Sequence, residues 1–197
     1  MDPKFSWYVA RSTGLAAWVV LAASVVLGLA LSTRATGRKP SAPWLLDLHR
    51  FSGGLSLVFV ALHLLGLWAD SFTHFAWSEL FVPMASAWQP GPVAWGIVTM
   101  YLLASIEVTS LVMRRLPRWL WRAVHATSFV AFVTATVHLL YAGTDADNRA
   151  LKWSVVTVSA VVIVLTLLRI KAIFDCDPGA DERHATLQIL RERVSSR

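Results

Sequence analysis

The sequence predicts an all-α membrane protein, a bundle of five transmembrane helices. The first observation behind this prediction is composition: of the 197 residues, 56% are hydrophobic and 15% are charged, and mean hydropathy is +0.56. A soluble domain usually carries about 25% charged residues. The second observation is that the apolar residues gather into five runs of about 18 residues or more, which is the length of a membrane-spanning helix.

The predicted spans cover residues 8–31, 48–69, 93–113, 121–141 and 151–174. The first run is too long for a cleaved signal and has no small-residue cleavage pattern at its end, so we expect it to remain as an anchor. Pro40 and Pro43 are expected to keep the first link non-helical. Residues 1–174 then form a membrane domain, and residues 175–197 form a charged cytoplasmic tail.

Basic residues predict the orientation of the bundle. Lys and Arg are concentrated in the links after the first and third spans, whereas the connector 70–92 has neither. Cytoplasmic links carry the Lys/Arg excess, so the N-terminus is predicted outside and the C-terminus in the cytoplasm of a multi-pass cell-membrane protein. The aromatic residues of the connector are expected at the membrane interface. Because the basic residues flank apolar spans, the predicted contact is membrane lipid, and no nucleic acid is expected.

Four histidines lie within two of the spans, His49 and His63 in the second and His125 and His138 in the fourth. Ionisable residues inside a membrane are costly and usually functional. Steps of fourteen and thirteen residues each cover roughly 20 Å along a helix. Two parallel helices therefore bring His49 level with His125 and His63 level with His138. Each pair can ligate one iron from both sides, which predicts two b-type haems stacked across the membrane.

The fourth span does not fit this arrangement as an ideal helix. At about 100° per residue, a step of thirteen turns the second histidine about 140° away from the first. Supercoiling, tilt or a locally tightened turn would be needed, or one of the two is not a ligand. Thioether-linked haem is excluded, because the only cysteine is Cys176 and no C-x-x-C-H occurs. The small residues near His49, namely Ser52, Gly53, Gly54 and Ser56, would let a macrocycle approach the backbone.

Other polar residues have two interpretations each. Arg50 and Arg122 are predicted to meet haem propionates near the inner surface, although contact with lipid phosphate explains them equally well. For Glu107 we favour a structural contact to Arg50 or Arg122 over a role in a proton path. His74 is expected to be a solvated loop residue and Cys176 a spectator thiol. The tail segment 181–193 either docks a cytoplasmic partner or lies on anionic lipid.

Two segments carry a family resemblance: LHRFSGGLSLVFVALHL at residues 48–64 and WRAVHATSFVAFVTATVHL at residues 121–139. They resemble the ferric reductase-like transmembrane family, which includes ferric reductases, the membrane part of NADPH oxidases and the membrane subunit of the periplasmic methionine sulfoxide reductase system. The resemblance covers roughly residues 12–173. It implies haem-iron ligand roles for His49, His63, His125 and His138 and a function in electron transport, as the membrane subunit of an oxidoreductase.

The chain departs from that family in two ways. Many members have an additional N-terminal helix, and reductases and oxidases continue into flavin- and nicotinamide-binding domains. Only about two dozen residues follow the last span here, too few for a dinucleotide-binding fold. We therefore expect the electron donor to be a separate cytoplasmic flavoprotein or a quinol, and the acceptor to lie on the outer side.

Two rival hypotheses remain open from sequence. In the first, the chain holds one haem and a flavin or quinone, on a partner or at the inner surface, and serves a partner reductase. In the second, it is a haem-free transporter or proton pathway with the histidines and Glu107 along a cavity. The colour of the purified protein separates them, because a transporter would have no haem absorption.

Overall fold

The computed structural model describes residues 5–33, 41–71 and 75–174, and no strand occurs among them. The helices are α1 (Phe5–Thr33), α2 (Ala42–Trp68), the short α3 (Trp77–Phe81), α4 (Pro90–Leu111), α5 (Arg118–Ala126), α6 (Ser128–Ala142) and α7 (Arg149–Phe174). Helices α5 and α6 together make one span, so the described residues hold five spans long and apolar enough to cross a membrane. The predicted all-α bundle of five transmembrane helices is confirmed. Which membrane face each terminus occupies stays a prediction.

Helix α2 begins six residues earlier than predicted. Pro43 lies within its first turn, so the prediction that Pro43 keeps this link non-helical was wrong. The first N–H groups of a helix have no partner within the helix, and a proline there loses no hydrogen bond. Several residues singled out from the sequence lie outside the described residues: Pro40, His74, Cys176, the first basic link and the tail, residues 175–197.

Helix α1 lies at the centre of the bundle and packs against α2, α6 and α7. Its buried side chains meet those of α4, α6 and α7 in one apolar core, formed by Trp18, Leu21, Ala22, Val25, Leu29, Leu103, Phe132, Leu151, Val155 and Val162. Contact with α2 is close, since a Cβ on Gly66 would lie 2.7 Å from the Ala10 nitrogen. Small residues at a contact let membrane helices approach in this way. Helix α1 therefore sets the position of α2, which carries two of the four histidines.

Helices α4 and α6 run antiparallel and are joined in the membrane by side-chain hydroxyls. Thr99 and Thr134 are hydrogen-bonded at 2.7 Å, and both side chains are buried. The Trp18 Nε1–H donates to Thr136 Oγ1 at 3.0 Å and links α1 to α6. Such bonds between membrane helices are worth about 0.6 to 2 kcal/mol, enough to fix which residues stand level with one another.

The fourth span is interrupted at Thr127, between α5 and α6. The Thr127 N–H donates to the carbonyl of Val124, three residues back, at 3.0 Å, and the Ala131 N–H then donates to the Thr127 carbonyl at 2.8 Å. The Thr127 hydroxyl also donates to Val124 at 2.6 Å. A three-residue hydrogen bond tightens the helix locally. The tightened turn, one of the options that the thirteen-residue step required, is thus present between His125 and His138.

Candidate functional site: two histidine pairs

The four histidines meet in the two predicted pairs. The ring centroids of His49 and His125, the first pair, are 5.9 Å apart, and those of His63 and His138, the second pair, are 6.3 Å apart. With metal–nitrogen bonds of about 2 Å, two imidazoles on opposite sides of one metal have centroids roughly 6 Å apart. Edge-to-face contact between two rings falls in the same range, so the distance alone suits both arrangements.

Hydrogen bonds to the main chain favour the metal arrangement. Nδ1 of His49 lies 2.9 Å from the Ser24 carbonyl, Nδ1 of His63 lies 2.7 Å from the Ala10 carbonyl, and Nδ1 of His138 lies 2.9 Å from the Pro92 carbonyl. A carbonyl oxygen only accepts, so each of these nitrogens carries the hydrogen and each Nε2 carries a lone pair. Histidines that bind a metal through one ring nitrogen usually donate the N–H of the other ring nitrogen to such an acceptor.

In the second pair, therefore, neither ring has an N–H left to donate to the other. Two neutral imidazoles whose N–H groups are both used elsewhere cannot hydrogen-bond to each other. Within the described residues no hydrogen bond joins either Nε2 to a donor, so both lone pairs are available to a metal centre placed between the rings.

A glycine lies against each of these three histidines. A Cβ on Gly14 would lie 2.8 Å from His63 Nδ1, one on Gly28 would lie 3.2 Å from His49 Cε1, and one on Gly96 would lie 2.7 Å from His138. Each glycine stands four residues after the residue whose carbonyl accepts the bond. In an α-helix the side chain four residues after a carbonyl lies beside that carbonyl. Because glycine has no side chain, the histidine ring can reach the carbonyl oxygen.

The sequence analysis missed these glycines, although the spacing holds a signal for them. Gly14 and Gly28 in α1 are fourteen residues apart, the same step as from His49 to His63 in α2. Because α1 and α2 run antiparallel at close contact, equal steps bring one glycine to each histidine. Matching glycine steps to histidine steps across neighbouring apolar runs would have found them.

His125 differs from the other three histidines. Its Nδ1 is buried and has no hydrogen-bond partner within the described part of the chain. The ring instead stacks on Trp121, with centroids 5.2 Å apart and planes 24° apart, and Trp121 Nε1 likewise lacks a partner there. The first pair is thus anchored to the main chain through His49 alone.

A cavity surrounds the second pair. It is open on one side and is lined mostly by apolar side chains, among them Trp7, Trp18 and Trp88. Cofactor sites usually have this character, an apolar wall with a few polar groups. Trp68 and Trp77 are not among the lining residues; their rings contact each other with centroids 5.4 Å apart and planes tilted by 34°.

Charged residues stand at the rim of this cavity. Glu79 accepts hydrogen bonds from the N–H of Ala87 at 2.8 Å and of Ala76 at 2.9 Å, and these bonds hold the pKa of Glu79 below its ordinary value. Arg11 forms an ion pair with Asp145. That hydrogen-bonded guanidinium holds the pKa of Asp145 below its ordinary value. The two contacts tie the connector and the turn after α6 to the cavity rim.

Replacing Asp145 with asparagine should lower stability only slightly. The side chains of Arg11 and Asp145 are both partly exposed, and such ion pairs contribute about 0 to 1 kcal/mol to the free energy of unfolding. The midpoint of thermal unfolding in detergent should therefore fall by at most about 4 °C. Because the folded-state pKa of Asp145 is lowered, its contribution is present above the ordinary carboxylate pKa and is lost as pH falls through the folded value. The difference from wild type should therefore shrink as pH falls below the ordinary carboxylate range.

The matched control is Asp147→Asn in the same turn. Asp147 pairs with Lys152 at 3.2 Å, but its side chain is fully exposed, and such exposed pairs contribute little, so no measurable shift is expected at any pH. An equal shift for both variants would show that charge in the turn matters and that the Arg11 contact does not.

The two arginines predicted to bind haem propionates lie near the first pair. Arg50 follows His49 directly and Arg122 lies one turn before His125; both are exposed. Arg118, Arg122 and His125 share one face of α5 by helical spacing. Within the described residues, neither Arg50 nor Arg122 forms an ion pair, so their propionate role stays a prediction.

Glu107 does not make the contact that we favoured from sequence. It is half-buried and its carboxylate lies against Gly53 of α2, where it would overlap an added Cβ. No ion pair joins it to Arg50 or Arg122 in the described residues. Glu107 therefore occupies the notch that Gly53 leaves between α2 and α4.

Within residues 5–33, 41–71 and 75–174, no three side chains of His, Cys, Asp or Glu come together as a metal-ion site. Each histidine pair thus offers a metal two protein ligands. Neither a family model nor a curated protein matches the chain. The function is therefore argued from the geometry of the two pairs.

Proposed function

We propose that this chain is a di-haem b membrane cytochrome of the ferric reductase-like type, which relays electrons across the cell membrane. The observation that supports this most directly is the set of three Nδ1–H bonds to main-chain carbonyls, each leaving an Nε2 lone pair free. A metal with two protein ligands needs further donors, and a tetrapyrrole supplies four in one plane. Haem is the cofactor that fits two imidazoles on opposite sides of one iron.

Haem supplies one-electron chemistry, and the residues described here hold and insulate it. His63 and His138 would hold one haem and His49 and His125 the other. Carbonyl acceptors orient the rings and raise the basicity of Nε2. The apolar lining around the second pair lowers solvent access, which in haem proteins sets the redox potential. The positions of the pairs, roughly 20 Å apart along the helices, suit two stations of one relay.

Direction and partners follow from the predicted orientation. With the N-terminus outside, the first pair lies near the cytoplasm and the second near the outer face. Arg50 and Arg122 would then meet haem propionates at the cytoplasmic end. A cytoplasmic flavoprotein or a quinol is the proposed donor, and the acceptor binds at the outer side, near the cavity mouth. In this role the chain is the membrane subunit of an oxidoreductase.

Electron transfer across a sealed membrane tests the proposal. Proteoliposomes loaded with ferricyanide and supplied externally with dithionite should lose ferricyanide colour, because the relay connects the two compartments. Liposomes without protein give the leak rate. His63→Ala should slow the loss to near that rate, since it breaks the second pair. Equal rates for wild type, His63→Ala and empty liposomes would contradict the proposal.

One observation favours the single-haem alternative. Among the described residues, Nδ1 of His125 has no hydrogen-bond partner, whereas Nδ1 of each of the other three paired histidines contacts a main-chain carbonyl, so the second pair is the better-built of the two sites. A single haem would then occupy the second pair, and the chain would serve a partner reductase through a flavin or quinone. Haem content per chain separates this alternative from the di-haem proposal.

A further inference from the structure

The two pairs are not built alike, and the difference is confined to one ligand. We propose that His125 is a replaceable ligand, so that the first pair provides an exchangeable coordination position for a small uncharged ligand of the carbon monoxide type. The inference rests on the proposed function, because it requires an iron at the first pair. It goes beyond a relay, in which both irons are permanently held by two histidines.

The first support is the missing acceptor of His125. Partners that receive the second ring N–H orient a ligating histidine and strengthen it, and losing one typically costs about 10- to 100-fold in metal affinity. His49, opposite His125, has two such contacts, the Ser24 carbonyl at 2.9 Å and the Ser24 hydroxyl at 3.2 Å. The two ligands of one iron therefore differ in strength, and His125 is the weaker.

The second support is the position of His125 in the chain. It is the penultimate residue of α5, a nine-residue helix that ends at the tightened turn of Thr127. Helix α5 packs mainly on α4. His49, by contrast, lies within α2, which is packed along α1. A small rotation at Thr127 can thus withdraw His125 while His49, α1 and α2 keep their places.

The third support is the neighbour of the His125 ring. Trp121 stacks on it at 5.2 Å, one turn earlier in the same short helix. Its indole gives the position an aromatic, largely apolar wall. A vacant position beside an aromatic face suits a small uncharged ligand better than a hydrated anion.

The test is carbon monoxide titration of the reduced, full-length protein in detergent, with haem and bound carbon monoxide both counted per chain. About one carbon monoxide for every two haems is expected in wild type, because only one iron has a replaceable ligand. Purging with argon should restore the original low-spin spectrum. That reversal shows that the ligand displaced a histidine of the folded protein.

Two variants assign the binding iron. His125→Ala should bind the same amount of carbon monoxide as wild type, because the same iron is open in both. His138→Ala is expected to lose the second haem and should still bind about one carbon monoxide per chain, because the first iron is unchanged. The opposite pattern, doubling in His125→Ala and loss of binding in His138→Ala, would assign the exchangeable position to the second pair and overturn the inference.

The two proposals fail separately. Two low-spin haems per chain with no carbon monoxide binding in wild type would leave the relay intact and overturn the replaceable ligand. A single haem per chain would overturn the inference by removing the iron from the first pair. Absence of haem from folded, haem-supplied protein would overturn the proposed function and this inference together.

Discussion

Replacing Gly96 with alanine is expected to remove about half of the bound haem, the half held by the second pair. The added Cβ would lie 2.7 Å from both Cε1 and Nδ1 of His138, closer than such contacts occur, so the ring must leave the Pro92 carbonyl. Loss of that contact typically weakens metal binding about 10- to 100-fold. Haem extracted per chain, measured by its pyridine complex, gives the result.

The matched control for Gly96→Ala lies on the same helix. A Cβ on Gly91 meets nothing within 4 Å, so Gly91→Ala should retain the full haem content and the helical circular dichroism of wild type. Gly14→Ala offers a second test from α1, because its Cβ would meet His63 at 2.8 Å. Full haem content in both Gly96→Ala and Gly14→Ala would contradict the role assigned to these glycines.

The largest effect is expected from the histidines themselves, in a pattern set by their pairing. His63→Ala and His138→Ala should each remove the same haem, so the double variant should lose no more than either single variant. His49→Ala combined with His63→Ala should instead lose both haems, although these residues lie on one helix. Non-additivity within a pair and additivity between pairs follow because only partners share an iron.

Absorption spectra with haem quantification of the single and double variants check this pattern. His74 lies outside the described residues and is assigned no ligand role, so His74→Ala is the control and should keep both haems. Equal losses in the His63→Ala/His138→Ala and the His49→Ala/His63→Ala double variants would contradict the pairing.

The spans and the level of the histidines could be predicted from sequence, because both depend on distance along the chain. Run length fixes which segments can cross a membrane. Steps of fourteen and thirteen fix the separation of His49 from His63 and of His125 from His138 to within a residue. Together with the parallel orientation predicted from the basic residues, these steps predicted which histidines lie level, while the thirteen-residue step left open whether both histidines of the fourth span face the second.

The main-chain carbonyls that accept hydrogen bonds from the histidine rings could not be predicted in the same way. Which carbonyl receives an Nδ1–H depends on how close two helices approach and on which helix face is free of side chains, and periodicity does not report either. The tightened turn at Thr127 was one of several ways to bring His125 and His138 to the same side. No proline or glycine occurs between residues 118 and 142 to indicate a break.

Two local expectations failed for identifiable reasons. Pro43 is expected from sequence to keep the first link non-helical, but proline is tolerated in a first turn, and α2 begins just before it. Glu107 was expected to pair with a basic residue on another helix. Gly53 leaves a notch that receives its carboxylate instead, and a notch made by an absent side chain is visible only once α2 and α4 are placed together.

The most direct test of the central claim is the number of haems per chain in protein purified from cells supplied with haem. A reduced-minus-oxidised spectrum and extraction of the pigment should give about two b-type haems per chain, both low-spin in the absence of added ligand. One haem per chain would contradict the di-haem relay and support a single site at the second pair. No haem in correctly folded protein would contradict electron transfer altogether and leave the histidines to a transporter or proton pathway.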